Sequence, residues 1–314
     1  AASPAHAARY ANGPATIVNR LTGPFAMNDT IGRFNIVGTD LGVMWDNGRG
    51  EILTAFGDTQ SFNGWSLLYG ELYYWRSNVL LRSTDRHLAD GMTFTSHAGR
   101  PGHAKRLLKP NVRREITIIP TAGVAANGKQ YMTVMSVKRW DSPGIWTTNW
   151  AGLVSSADNG ENWRSVGAFR PNGGGNKKFQ MGAFLRSGEY IYQYGTPNGR
   201  FGSAHVARFR PADILNLDRY QYFRGGTGWS SNPAEATPIV AGPVGEMSVA
   251  YNAFLGRFIM LTERSGTIVM RTSPSPVGPW SGERVPVSHK QSSGLYTPYI
   301  HPRSSGKDLY FAVS

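Results

Sequence analysis

The hydrophobic positions of this chain fall in short runs rich in Val, Ile, Tyr, Phe and Thr, separated by turns such as Asn-Gly, Ser-Gly and Pro-Gly. Long apolar stretches with the 3.6-residue period of an amphipathic helix are nearly absent. The 38 glycines and 19 prolines supply the turns that many short strands require. The pattern therefore predicts an all-β protein.

A unit of strands separated by turns repeats along the chain, which is typical of modular β-folds. First strands are expected at 40–45, 116–120, 181–186, 246–251 and 296–301, second strands near 52–57, 130–137, 189–194, 257–262 and 307–313, and third strands at 78–83, 150–155, 203–210 and 267–271. The last unit stops after two strands, whereas residues 16–18 and 34–37 form two further strand-like runs. Pairing these runs with the last unit would close a ring and remove two exposed sheet edges.

The repeat thus predicts a five-bladed β-propeller whose last blade is closed by N-terminal strands, with a pair of β-sandwiches as the alternative. Residues 1–15 are expected to form a flexible tail, and residues 16–314 a single propeller domain. The run from Ser156 to Trp163 agrees, because it fits the Asp-box pattern Ser/Thr-x-Asp-x-Gly-x-x-Trp, a turn between the third and fourth strands of a blade. Asp158 is accordingly interpreted as a structural turn residue.

Two aspartates bracket the first predicted hairpin. Asp40 opens its first strand and Asp58 closes its second, so the antiparallel pairing should bring both carboxylates to the same end of the sheet. Paired carboxylates suit glycoside hydrolysis, in which one acts as an acid and the other as a base or nucleophile. The alternative is that both aspartates only cap strand ends.

Other candidate residues should share that face of the propeller. The loop after Asp58 is rich in aromatic side chains that could bind sugar faces, and Trp65 is the best exposed candidate. Glu115 and Glu246 precede the first strands of the second and fourth predicted blades and are expected to surround an axial pocket, beside Tyr299 and His301 on the fifth blade.

The formal net charge of +13 favours anionic partners. The stretch 97–114 carries six Lys and Arg residues and no acid, and joins the first two predicted blades on the side of the carboxylate pair. It could hold an acidic or phosphate-bearing polymer against the site. The chain lacks a nucleic-acid recognition motif, so we expect no nucleic-acid partner.

The chain has no cysteine, and no apolar run approaches the roughly 20 residues that span a bilayer. We therefore expect no transmembrane segment, no disulfide and no thiolate metal site. No metal-ligand cluster is visible, so neither a catalytic metal nor a cofactor is expected. The small residues at the start are compatible with export, which predicts a secreted or cell-envelope protein. We also expect a monomer.

The runs Thr39-Asp40-Leu41-Gly42 and Phe56-Gly57-Asp58-Thr59, followed by Arg76-Ser77-Asn78-Val79-Leu80, resemble a bacterial family now grouped as endo-D-arabinanases, glycoside hydrolase family 183. The resemblance covers about residues 30–314. It implies a five-bladed propeller that cuts internal α-D-arabinofuranosyl linkages in cell-wall arabinogalactan and lipoarabinomannan.

The resemblance also implies roles for individual residues. Asp40 and Asp58 match the essential pair, and Asn78 would orient one of them. By analogy with other five-bladed propeller glycosidases, Asp40 is expected to act as the base and Asp58 as the acid, with inversion at the anomeric carbon. Two other functions stay open: a propeller that binds envelope polysaccharide without cutting it, and a sialidase-like hydrolase.

Overall fold

The computed structural model describes residues 14–62, 73–292 and 294–314, and these ranges consist mostly of strands and turns. Four sheets of four or five antiparallel strands follow one another along the chain. The first sheet holds β1 (Gly38–Asp46), β2 (Ile52–Phe62), β3 (Tyr73–Arg76), β4 (Val79–Ser83) and β5 (Ser96–His97). A small hairpin follows, made of β6 (Gly99–Arg100) and β7 (His103–Ala104).

In the other three sheets each strand pairs with the next one along the chain, with one exception in the second sheet. The second holds β8 (Thr117–Ala126), β9 (Lys129–Ser142), β10 (Ile145–Ser156), β11 (Arg164–Ser165) and β12 (Arg170–Pro171), of which β12 pairs with β10. The third holds β13 (Met181–Ser187), β14 (Tyr190–Thr196), β15 (His205–Phe209), β16 (Gln221–Phe223) and β17 (Trp229–Ser230). The fourth holds β18 (Met247–Asn252), β19 (Arg257–Arg264), β20 (Thr267–Ser273) and β21 (Arg284–Val287).

The inner strands of the sheets lie side by side around a common axis, as the blades of a propeller do. Strand β1 contacts β8, β8 contacts β13, and β13 contacts β18. A last pair of strands, β22 (Tyr299–Ile300) and β23 (Phe311–Ala312), lies between the fourth and first sheets, because β22 contacts both β18 and β1. The all-β class and the propeller arrangement are therefore confirmed for four blades.

The prediction that N-terminal strands close the last blade is wrong. Residues 14–37 contain no strand, and β23 pairs with β22 alone within the part of the chain that the structure describes. Phe34 instead ends a one-turn helix, α1 (Thr30–Phe34), which is flanked by Asp29 and Asn35 in left-handed backbone conformations. Asp and Asn tolerate that conformation and hydrogen-bond locally, which interrupts the extended chain.

Short 3-10 turns fill several connections, at Leu88–Asp90, Gly174–Phe179, Pro211–Asp213, Leu217–Arg219, Gly225–Thr227 and Pro233–Glu235. The Asp-box turn has the expected structural role. The Asp158 carboxylate accepts the backbone N–H of Asn162 at 2.8 Å, and the Trp163 indole donates to the Gly160 carbonyl at 2.9 Å. The Trp163 ring then packs edge-on against Trp45 of the first sheet, so the box joins two blades.

Candidate active site

A β-bulge sets the positions of the two aspartates. Thr39 pairs with Thr59 and Leu41 with Phe56, so Asp40 on β1 faces both Gly57 and Asp58 on β2. The distortion continues at Leu41, whose φ of 67° is left-handed. Bulges bend a strand and re-aim its side chains, and they are common beside active sites. The hairpin thus brings both carboxylates to one end of the first sheet.

Asp40 lies in a shielded position at the centre of the site. The Tyr296 hydroxyl donates a hydrogen bond to its Oδ1 atom. Burial raises the pKa of Asp40 from 3.8 to about 6, the Tyr296 hydrogen bond opposes that rise, and the negative charges of Asp58 and Glu246 add to it. A carboxyl with this pKa is partly protonated near pH 6 and can serve as a proton donor.

Asp58 is held between the first and second blades. Thr117, the first residue of β8, donates its hydroxyl proton to Asp58 Oδ1 at 2.7 Å. Burial raises the pKa of Asp58, while hydrogen bonds from Thr117 and the Trp75 side chain oppose the rise. These donors favour the ionised carboxylate, which is the form that a base or nucleophile requires.

A partly buried ion pair lies near Asp40 and Tyr296. Arg200 donates from Nε and Nη2 to the Glu246 carboxylate at 2.9 and 2.8 Å. Its guanidinium also lies over the Tyr296 ring, 4.9 Å from the ring centre, and 3.9 Å from Glu263. Glu246 lies near Asp40, and its negative charge adds to the rise in the pKa of Asp40.

The structure places Glu246 near Asp40, and its role in binding substrate stays a prediction. Trp65 lies outside the described residues. Glu115 does not reach the pocket through a free carboxylate: its two oxygens accept hydrogen bonds from the Asn111 backbone N–H at 2.6 Å and the Ser136 hydroxyl at 2.8 Å. It holds the loop that precedes β8.

The structure corrects the prediction that Asn78 orients a catalytic aspartate. Asn78 is fully buried and donates to the Ile118 carbonyl at 2.8 Å and to Ser77 at 3.1 Å. Its side-chain oxygen accepts the backbone N–H groups of Leu107 and Leu108. These four hydrogen bonds occupy the amide, so Asn78 joins the first blade to the next and has no group left for substrate.

Tyr299 and His301 are corrected as well. Tyr299 is buried in the hydrophobic core that the first two blades share. His301 lies at the end of the inner strands opposite to Asp40. Its Nδ1 accepts the backbone N–H of Arg303, and the Arg303 guanidinium donates to the Gly50 carbonyl in the β1–β2 turn. Six residues separate Asp40 from Asp46 at that end, roughly 20 Å of extended strand.

The residue that the sequence reasoning missed on this element is Tyr296. It lies three positions before Tyr299 on the pocket side, at the start of the predicted first strand 296–301. The rule that selected Asp40 and Glu246, a polar residue just before an inner strand, would also have selected Tyr296. No comparable pattern in the sequence indicates Thr117 or Arg200, which reach the site through long-range contacts.

The described residues hold neither a metal-binding cluster nor a membrane-spanning helix. Within residues 14–62, 73–292 and 294–314, no three His, Asp or Glu side chains cluster so as to bind a metal ion. In the same ranges, no helix has the length and apolar character that crossing a bilayer requires.

Comparison with known sequences reveals one family. The family described as "Domain of unknown function (DUF4185)" matches residues 25–314. Notoamide biosynthesis cluster protein J of Aspergillus sp. (strain MF297-2) is 31% identical over 308 residues, which cover 90% of this chain and 80% of that protein. Protein J' of Aspergillus versicolor is 30% identical, with 90% and 82% covered.

Solved structures share the fold at low sequence identity. A Bacteroides ovatus protein provisionally named a hydrolase aligns with a TM-score of 0.60 at 13% identity, covering 90% of this chain and 80% of that one. An exo-β-1,3-galactanase from Phanerochaete chrysosporium gives 0.54 at 10% identity, with 90% of this chain and 57% of that one covered. An α-L-arabinofuranosidase from Clostridium thermocellum gives 0.52 at 11% identity, with 84% and 79% covered.

Proposed function

The chain belongs to the DUF4185 family, and we propose that it is a glycoside hydrolase that uses Asp40 and Asp58 as its acid–base pair. The observation that carries the proposal is the bulge that places the two carboxylates together, with the pKa of Asp40 raised to about 6. Proton transfer by each positioned group typically contributes roughly 10²–10⁴-fold to the rate. The likeness to propeller glycosidases supports the fold on which such a site is built.

The environments of the two carboxylates favour a division of labour opposite to the one that analogy gave. Asp40 has the pKa suited to a general acid and donates its proton to the departing glycosidic oxygen. Asp58, which accepts hydrogen bonds from Thr117 and Trp75, takes a proton from the water that attacks the anomeric carbon. Attack from the opposite face of the sugar inverts the anomeric centre.

For the substrate we propose internal α-D-arabinofuranosyl linkages of cell-wall D-arabinan, as in arabinogalactan and lipoarabinomannan. The resemblance of the Asp40 and Asp58 runs to endo-D-arabinanases supports this choice. Trp75 contacts Asp58, leaves more than a third of its surface exposed and can pack against sugar faces. Such a polymer requires a secreted or cell-envelope enzyme, and we propose that it works as a monomer.

We also propose that β22 and β23 form a reduced fifth blade, because β22 lies between the inner strands of the fourth and first blades. Ser314 fastens this element, since its backbone pairs with Tyr296 and its hydroxyl donates to the Leu41 carbonyl at 2.8 Å. Ser314 thereby contacts both the bulge and the tyrosine that donates to Asp40.

The test is product analysis on purified arabinogalactan and lipoarabinomannan. The wild type should release oligosaccharides of several lengths, and proton NMR of the first products should show inverted anomers. Binding of the polymer without release would contradict hydrolysis and favour the binding propeller. Release of sialic acid from a sialoside, with arabinan left intact, would favour the sialidase-like alternative.

A further inference from the structure

Two arginines lie near each other at the end of β3 in the first blade, and Trp75 links this pair to Asp58. Arg76 is the last residue of β3 and pairs across the sheet with Thr59, the residue after Asp58. Arg106 comes from the basic stretch 97–114 and donates to the Trp75 carbonyl at 2.9 Å. Trp75 therefore contacts Asp58 through its side chain and Arg106 through its backbone. We call the space between the guanidinium groups the Arg76–Arg106 pocket.

The arginines have hydrogen-bond donors left over. Arg76 is fully buried and donates from Nη2 to the Asn35 carbonyl at 2.6 Å and to the Ser61 hydroxyl, but its Nε and Nη1 groups have no partner among the described residues. The buried Nε group of Arg106 also has no hydrogen-bond partner among the described residues. Neither arginine forms an ion pair with an acid in the described ranges, so three buried N–H groups are left for an acceptor.

Aromatic rings lie close to both guanidinium groups. The Arg106 guanidinium lies 5.5 Å from the centre of the Trp75 ring and 6.0 Å from that of Tyr74. The Arg76 guanidinium also lies 6.0 Å from the Tyr74 ring. His103 stacks on the other side of Tyr74, and burial together with the charge of Arg76 lowers the pKa of His103. The imidazole is thus kept neutral beside two cations.

Burying two like charges together is unfavourable unless an anion compensates them. Burial and the nearby charge of Arg106 lower the pKa of Arg76 to about 10, which still leaves it charged at neutral pH. Guanidinium groups match carboxylate and phosphate oxygens in geometry and bind them in pairs of hydrogen bonds. A neutral arabinan offers no such acceptor.

We propose that the Arg76–Arg106 pocket is a subsite for an oxyanion, a phosphate or carboxylate carried by the polysaccharide one or two sugar units from the bond that is cut. The subsite rests on the proposed hydrolase function, because Trp75 contacts both Asp58 and Arg106. It would make the enzyme select acidic or phosphorylated segments over neutral ones. Since the pair is shielded, its effect should survive salt that screens the exposed arginines of the same stretch.

The first test is binding of inorganic phosphate, measured by calorimetry and by the shift in melting temperature. Arg106→Gln removes one arm of the pocket, and Arg113→Gln removes an exposed charge from the same stretch as a matched control. We expect Arg106→Gln to weaken phosphate binding about tenfold or more, as for the loss of a charge-assisted hydrogen bond, and Arg113→Gln to change it less than about twofold. Equal losses in both variants would mean an adventitious ion only and would overturn the proposal.

The second test compares a neutral arabino-oligosaccharide with the same oligosaccharide carrying one phosphate or one carboxylate. Wild type should cut a charged form at least about tenfold more efficiently in kcat/KM than the neutral form, and Arg106→Gln should cut the two forms with equal efficiency. The form with the larger advantage identifies the natural group. No preference in the wild type, with both forms cut, overturns the subsite and leaves the hydrolase function standing.

Glu71, in the stretch outside the described residues, supplies a further control. If Glu71→Gln binds phosphate where the wild type does not, the counter-ion belongs to the chain itself and the proposal is overturned. If the wild type binds phosphate through Arg106 but cuts no arabinan, the subsite stands and the hydrolase function fails. The two proposals therefore fail separately.

Discussion

Replacing Tyr296 by Phe removes the hydroxyl that donates to Asp40 and leaves the ring in place beneath Arg200. This hydrogen bond lowers the pKa of Asp40 against the effect of burial. A hydrogen bond to a charged group contributes about 1.5–3 kcal/mol, and one pKa unit corresponds to about 1.4 kcal/mol. We therefore expect the pKa of Asp40 to rise from about 6 by about one to two units.

The assay is the pH profile of kcat/KM on arabinan, which reports the ionisations of the free enzyme. If Asp40 is the proton donor, activity falls as the pH rises through its pKa, and Tyr296→Phe moves this alkaline limb upward. If Asp40 is the base, the acidic limb moves upward instead, and activity near pH 6 is lost. The direction of the change thus assigns the two roles.

Tyr299→Phe is the matched control, because Tyr299 lies three residues away with its ring in the core. It should leave both limbs in place. A Tyr296→Phe profile that coincides with the wild type would refute the electrostatic account of Asp40.

Three further changes probe the same network. Glu246→Gln removes a negative charge that raises the pKa of Asp40, so the limb that Tyr296→Phe moves upward should move downward; movement in the same direction would contradict the assignment. The raised pKa of Asp40 costs stability as pH rises from 3.8 to about 6, so Asp40→Asn should stabilise the protein above pH 6 by at most about 3 kcal/mol. Below pH 3.8 the substitution should have no such effect. Equal urea midpoints for wild type and variant at pH 7.5 would oppose this. Asn78→Ala should cost about 3 kcal/mol in urea unfolding, since it removes four buried hydrogen bonds, whereas KM should stay unchanged; a raised KM without loss of stability would return Asn78 to the substrate site.

Much of this architecture follows from local sequence patterns. The alternation of apolar runs and turns located nearly every inner, second and third strand, and the hairpin rule brought Asp40 and Asp58 together. Both depend on neighbours in sequence, for which strand period and turn chemistry suffice. The Asp box at Asp158 belongs to the same class.

The failures involve long-range contacts or local breaks. Asn78 is a buried connector because loop residues 107 and 108 fold onto it, which its own surroundings in sequence do not indicate. Asp29 and Asn35 turn an apparent strand into a helix through left-handed backbone conformations. The inner strand of the last pair begins at Tyr299 and not at residue 296. For this reason the sequence pattern indicates Tyr299, which lies in the core, and misses Tyr296, which contacts Asp40.

The most direct test of the central claim is the rate at which reducing ends are released from D-arabinan by the wild type, Asp40→Asn and Asp58→Asn. Asp46→Asn is the control, because Asp46 is an exposed aspartate at the far end of the same strand. Circular dichroism should show all four proteins folded. The account predicts that each site variant loses roughly 10²-fold or more while the control keeps its rate. An Asp40 or Asp58 variant that cuts as fast as the control would contradict it.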